Sequence, residues 1–112
     1  MSRIFARNHL SGTPNGLPKL LTSSWQALHT ATSALDSDDE VYMTLQNGME
    51  GANVSVQVRI GGTAVMSYFL AAAATAQVLP GLLLRNGYLV EAKIVSGANI
   101  YAFGYINEIR PV

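Results

Sequence analysis

The last third of the chain, Val78 to Ile109, reads VLPGLLLRNGYLVEAKIVSGANIYAFGYINEI and limits the possible folds more than any other stretch. Its apolar runs are rich in β-branched and aromatic residues, which suit a pleated, half-buried surface. Turn chemistry separates them. Asn86-Gly87 is the favoured pair for a two-residue type I′ hairpin. Pro80-Gly81 reads as a second turn, with Pro setting one φ and Gly supplying a positive one. Ser96-Gly97-Ala98-Asn99 makes a looser connection. The stretch is therefore a series of antiparallel hairpins. Its final strand has Ile100, Ala102, Gly104 and Ile106 on one face and Tyr101, Phe103 and Tyr105 on the other. Neither face is polar, whereas an antiparallel sheet commonly keeps one face wet. One face belongs in a core; the row Tyr101, Phe103, Tyr105 is expected at a contact between subunits.

The same alternation runs back through the chain. Val54, Val56, Val58 and Ile60 alternate with Ser55, Gln57 and Arg59, which predicts a strand with an apolar inner face and closure by a Gly61-Gly62 turn. Val41, Met43 and Leu45 point inward by the same rule, and Tyr42, Thr44 and Gln46 outward. Trp25–Thr32, Thr63–Leu70 and Thr75–Leu79 complete the expected strands. Ala71–Ala74 favours helix by propensity but is too short to nucleate one, so it reads as a turn. About eight short strands at regular spacing give an all-β chain, an antiparallel β-sandwich or jelly roll. At 112 residues and 49% hydrophobic content, one such domain over residues 21–112 has a sufficient core without disulfides, and there is no cysteine.

Residues 1–20 read differently. Asn8, Ser11, Gly12, Thr13, Pro14, Asn15, Gly16 and Pro18 interrupt every periodicity and argue against a helix or a paired strand. The segment is expected to be an extended N-terminal arm. It holds Arg3, Arg7 and Lys19 and no acid, while all seven acidic residues lie from Asp36 onward. It also holds Ile4, Phe5 and Leu10, more apolar than a solvated linker needs. Arg3, Ile4, Phe5, Arg7 and Leu10 are accordingly the expected partner-binding residues.

No catalytic constellation emerges. The acidic run Asp36-Ser37-Asp38-Asp39-Glu40 offers oxygen ligands at alternate positions, but Val41 occupies the position where a calcium loop needs glycine, and the closing glutamate is missing. It reads as a solvated turn before a strand. His9 and His29 lack metal spacing, and His29 reads as a histidine of the sandwich surface or of an interface. No serine sits in a nucleophile elbow, and Glu50, Glu91 and Glu108 are scattered singly. Gly61-Gly62 precedes no helix and so forms no phosphate cradle. Zero net charge with 12% charged residues offers no basic face for nucleic acid or anionic lipid. No apolar run is long enough to span a bilayer, and the N-terminus has no continuous apolar signal segment. No catalytic residue, metal or cofactor is expected.

From Trp25 to Ile109 the chain resembles small accessory structural proteins of tailed-bacteriophage virions. The matching features are LHTAT from Leu28, DDEVYMTLQN from Asp38, VSVQVRIGG from Val54, the run from Ala72 to Lys93, and NIYAFGYINEI from Asn99. The resemblance implies a head decoration or cement protein. Such a protein is made in the host cytoplasm, carried on the capsid surface, and bound to the major capsid protein as a homo-oligomer, a trimer by that resemblance. The alternative it implies is a neck- or tail-associated sandwich that presents a carbohydrate-binding face for host attachment.

Overall fold

Period-two alternation of apolar and polar side chains decides most of the chain, because a strand turns successive side chains to opposite faces. The computed structural model describes residues 3–112, so the first two residues of the expected arm lie outside it. Its strands are β1 (Arg3–His9), β2 (Lys19–Leu20), β3 (Gln26–Thr30), β4 (Asp38–Asn47), β5 (Val54–Ile60), β6 (Ala64–Leu70), β7 (Thr75–Leu84), β8 (Leu89–Ser96) and β9 (Ile100–Pro111). A single 3-10 turn, Pro14–Gly16, separates the first two. The architecture is all-β, as expected, with two antiparallel sheets packed face to face. One runs β1-β9-β4-β7, with β2 beside the other end of β9; the second runs β3-β8-β5-β6.

The core lies between these sheets. Val41, Met43 and Leu45 of β4 with Ile100 and Ala102 of β9 meet Leu28, Val54, Val56, Val58, Val90 and Ala92 of the second sheet, all essentially removed from water. Fully burying a side chain of this size contributes about 1.5–3 kcal/mol. The expected inward and outward sets of β4, β5 and β9 are the observed ones, except that Ile60 is only half-buried, at the mouth of a groove described below. Asn86 and Gly87 adopt φ of +60° and +70°, the left-handed pair of a type I′ turn, closed by Tyr88 N–H donating to the Arg85 carbonyl (3.2 Å). The turn carries the chain from one sheet to the other: neither β7 and β8 nor β8 and β9 pair, so the hairpins expected in series along Val78–Ile109 do not form.

Two further expectations fail. Pro80-Gly81 is not a turn: β7 runs through it to Leu84, so the strand expected to end at Leu79 is twice as long. The register against β4 slips at Gly81 and again at Val78, two bulges that absorb the irregular backbone. Proline is tolerated there because β7 is an edge strand, where an N–H facing solvent is dispensable. Gly81 holds φ at +105°, and the Tyr42 ring lies over the space a side chain would fill. The second failure is the expectation that residues 1–20 hold no paired strand. Arg3–His9 is a paired strand, in unbroken antiparallel register with Pro111–Tyr105 of β9. Its breaker residues all fall after Ala6, and Arg3–Arg7 has none.

Beyond β1 the chain turns into the body. Leu10 and Leu21 are buried in the core. Gly12 N–H donates to the Leu28 carbonyl (2.8 Å), and Thr30 N–H to Ser11 Oγ (2.8 Å), so residues 10–13 lie against β3. Every residue of β1 itself is exposed. The molecule is 51 Å long and 24 by 20 Å across.

Candidate interaction surfaces

The acidic run forms the start of β4 rather than a solvated turn. Alternation sends Asp39 inward, in phase with Val41 and Met43, and leaves Asp38 and Glu40 on the other side. Asp39 is 2% exposed. Its Oδ2 accepts from His29 Nε2 (2.8 Å) and Thr32 N–H (3.0 Å), and its Oδ1 accepts from Arg110 Nη2 (2.8 Å). Arg110 also donates to Glu108 (3.1 Å) and to the Asp38 carbonyl (2.6 Å). His29 is therefore buried, not on the surface or at an interface as its place on a strand suggested. A bulge in β3 between Ala27 and His29 turns both Leu28 and His29 inward. The signal for Asp39 was present in the alternation; the partner's was hidden by the bulge.

This Ser-His-Asp vicinity does not activate a nucleophile. His29 Nδ1 accepts the Ser11 backbone N–H (3.0 Å), so its lone pair is engaged by an amide and not by a hydroxyl. With Nε2–H donating to Asp39, the ring is fully satisfied, and the network's role is to tie β3, β4, β9 and residues 10–13 together. The neighbouring carboxylates are also spoken for. Asp38 is held by a two-pronged contact from Arg85 (2.7 and 2.9 Å), which keeps its carboxyl below the ordinary range against the opposing effect of burial. Glu40 accepts from Asn107 Nδ2 (3.0 Å) and the Tyr42 hydroxyl (2.9 Å), and these bonds lower its pKa too. Because the acids point to opposite faces and each has its own partner, they do not converge on a cation. No group of three metal-ligating side chains occurs among the described residues.

The outer face of the first sheet carries the aromatic row. Tyr105 stacks on Tyr42 (centroids 4.7 Å apart, 17° between planes), and the Arg7 guanidinium lies 4.2 Å above the Tyr105 ring. Tyr105 is thus sandwiched by its own chain, Phe103 is half-buried beside Thr44, and only Tyr101, opposite Gln46, stands open. On the outer face of the second sheet, Trp25 lies under Arg59 (4.3 Å) and Lys93 (4.9 Å), while Arg59 grips Glu91 (3.0 and 3.1 Å).

The residues expected to bind a partner through the arm divide. Ile4 and Phe5 are 51% and 68% exposed on a free sheet edge, with Arg7 nearby and Arg3 bonded to the Asp36 carbonyl. Leu10, at 0%, sits inside this chain's own core and leaves the partner-facing set. Sequence reasoning missed a second surface. Where β6 and β7 diverge, the sandwich is open along an apolar groove of about 560 Å³, with Ile60, Ala64 and Met66 on one side and Val78, Leu79 and Leu82 on the other. Val65 (50%) and Phe69 (68%) stand exposed on β6 beside it.

No protein-family model matches the chain, and no curated protein matches it significantly.

Proposed function

We propose that this chain is a structural binding protein of a tailed-bacteriophage particle, a head decoration or cement protein that attaches through its N-terminal strand. The observation that carries the reading is β1: a free-edged strand with two large apolar side chains in water, two arginines and no acid. An edge strand offers unpaired N–H and C=O groups to any extended segment of a partner. Ile4 and Phe5 supply apolar area worth about 25 cal/mol per Å² on burial, and exposed arginines chiefly steer the approach. Many copies on a repeating shell multiply a modest contact through avidity. The Arg3–Asp36 and Arg7–Tyr105 contacts hold the strand in place before a partner arrives, which lowers the ordering cost.

The test is co-sedimentation with DNA-free heads of the phage that encodes the chain. The full chain is expected to pellet with heads. Phe5→Ala, Ile4→Asp and deletion of residues 1–8 should each weaken binding while leaving the fold intact. Deletion of residues 1–19 is not an equivalent probe, because it removes Leu10 from the core and should unfold the protein. If the 1–8 deletion binds as tightly as the full chain, attachment through β1 is wrong. A second reading, a neck or tail module that binds glycans, draws on Tyr101 and Phe103 beside Gln46 and Thr44; glycan-array binding abolished by Tyr101→Ala, with no binding to heads, would replace the first.

A further inference from the structure

The sandwich has free strand edges on both sheets, and they are not equivalent. An exposed edge invites pairing, and proteins guard it with charge, proline, bulges or brevity. β7 carries Pro80 and two bulges. β3 is five residues long and bulged. β1 carries Arg3 and Arg7. β6, Ala64–Leu70, has none of these guards: AVMSYFL contains no charge, no proline and no glycine, and it pairs with β5 in unbroken register.

We propose that β6 is the seam of a homodimer, pairing antiparallel with β6 of a second copy about a two-fold axis through Ser67. That register pairs all seven residues. Ala64 lies opposite the partner's Leu70, Val65 opposite the partner's Phe69, Met66 opposite the partner's Tyr68, and the two Ser67 residues face each other. Val65, Ser67 and Phe69 share the outer face, so each exposed Phe69 ring covers an exposed β-branched neighbour, a favoured cross-strand pair. Met66 and Tyr68 share the inner face, where thioether and ring make a favourable contact. Nothing charged meets its own copy. The nearest cation, Arg59, opposite Val65 on β5, is already bound to Glu91. Self-pairing of β1 would instead crowd four arginines with no acid among them.

The second copy also acts on the groove. Ala64 and Met66 form one wall of that apolar opening, so extending the sheet past β6 places the partner's inner-face side chains along its open flank. A two-fold contact uses the same patch on both subunits and closes on itself, leaving no sticky edge. The dimer is an eight-stranded continuous sheet, β3-β8-β5-β6 joined to its copy. It stands apart from attachment through β1, which lies on the other sheet, so each can fail alone.

The chain has no cysteine, so a single introduced thiol reports the axis directly. Ser67→Cys in the full chain should form an intermolecular disulfide in nearly every molecule under mild oxidation, because only a residue on the axis meets itself; Thr75→Cys, on the edge strand of the other sheet, should not. Light scattering at micromolar concentration should give twice the monomer mass for the wild type. Ser67→Lys, which places two like charges on the axis, should halve that mass with an unchanged circular dichroism spectrum. A monomeric or trimeric wild type, or a Ser67→Cys protein that cross-links no more than Thr75→Cys, overturns the proposal. Should Ser67→Lys fail to fold, the disulfide yield alone decides.

Discussion

Replacing Asp39 tests the buried network most directly, because three donors converge on one carboxylate. Asp39→Ala strands His29 Nε2–H in the interior and removes the acceptor of the partly buried Thr32 N–H. A buried donor left without a partner costs about 1–3 kcal/mol. The third donor, Arg110, is partly exposed and keeps Glu108 and the Asp38 carbonyl, so its loss adds little. The sum is about 3 kcal/mol. Asp39→Asn separates the contributions. Its amide oxygen can occupy the Oδ2 position and still accept from His29 and Thr32; only the Arg110 contact is lost, since the amide NH₂ now faces a guanidinium. About 1 kcal/mol is expected, in line with a partly exposed pair.

Urea denaturation followed by tryptophan fluorescence reads both, with Trp25 as the single reporter. With a slope of roughly 1–3 kcal/mol/M for a small domain, Asp39→Ala should lower the midpoint by about 1–3 M and Asp39→Asn by a third of that. A folded state stabilised by about 5–15 kcal/mol survives either change, so both proteins should remain measurable. Equal losses for Ala and Asn would mean that Arg110, and not the interior donors, carries the network. A loss within about 0.5 kcal/mol for Ala, the range of ordinary surface substitutions, would refute the reasoning outright.

Two further outcomes follow from the core and the surface acids. Val56→Ala removes buried methyl groups and should cost about 1–3 kcal/mol, while Ser55→Ala on the outer face should be near neutral; equal costs would mean a wrong register for β5. Asp38 and Glu40 have folded pKa values below their unfolded ones, so the folded state binds fewer protons than the unfolded chain in that range. Their contribution is complete above the ordinary carboxylate range and is lost as pH falls through it to the lowered folded values. Acid titration of stability should therefore show a falling limb there, and Arg85→Ala, which removes the main cause for Asp38, should make that limb shallower.

The fold was legible wherever a single physical rule dominated. β4, β5 and β9 follow clean alternation, and Asn86-Gly87 has one favoured geometry, so core faces and the turn could be read directly; that the turn crosses between sheets instead of closing a hairpin is decided by long-range pairing. Pro80-Gly81 was misread because the same two residues serve a turn or a bulged edge, and only the neighbouring strands decide which. The pairing of Arg3–His9 was illegible for a related reason. Density of breakers over residues 8–18 outweighed a short, clean strand before them, and its partner, the end of β9, lies about a hundred residues away. The buried network lies between these cases: Asp39 is in phase with Val41 and Met43, but a lone carboxylate inside is prohibitively unfavourable, so the run by itself does not mark it as buried. The histidine and arginine that make it tolerable come from β3 and β9, and a sequence shows no such juxtaposition.

That network bears on how the exposed strand is held. A one-residue slip of β4 would exchange its inner and outer sets, bringing Asp38 and Glu40 into the core and turning Asp39 away from His29. The hydrophobic pattern alone penalises the slip; the Asp39–His29 pair penalises it again, because an unpaired carboxylate and an unpaired imidazole would both be buried. The same carboxylate reaches β9 through Arg110, at the position where Ile4 of β1 pairs. β1 has no buried side chain of its own to fix its register. Its place is set by backbone pairing to a strand whose end is anchored by Arg110, and by Leu10, which pins the following turn into the core. The apolar and basic side chains that face water at that edge are therefore presented on a rigid frame and not on a loose tail. In the attachment proposed for β1, this lowers the entropy lost on binding without adding a single contact.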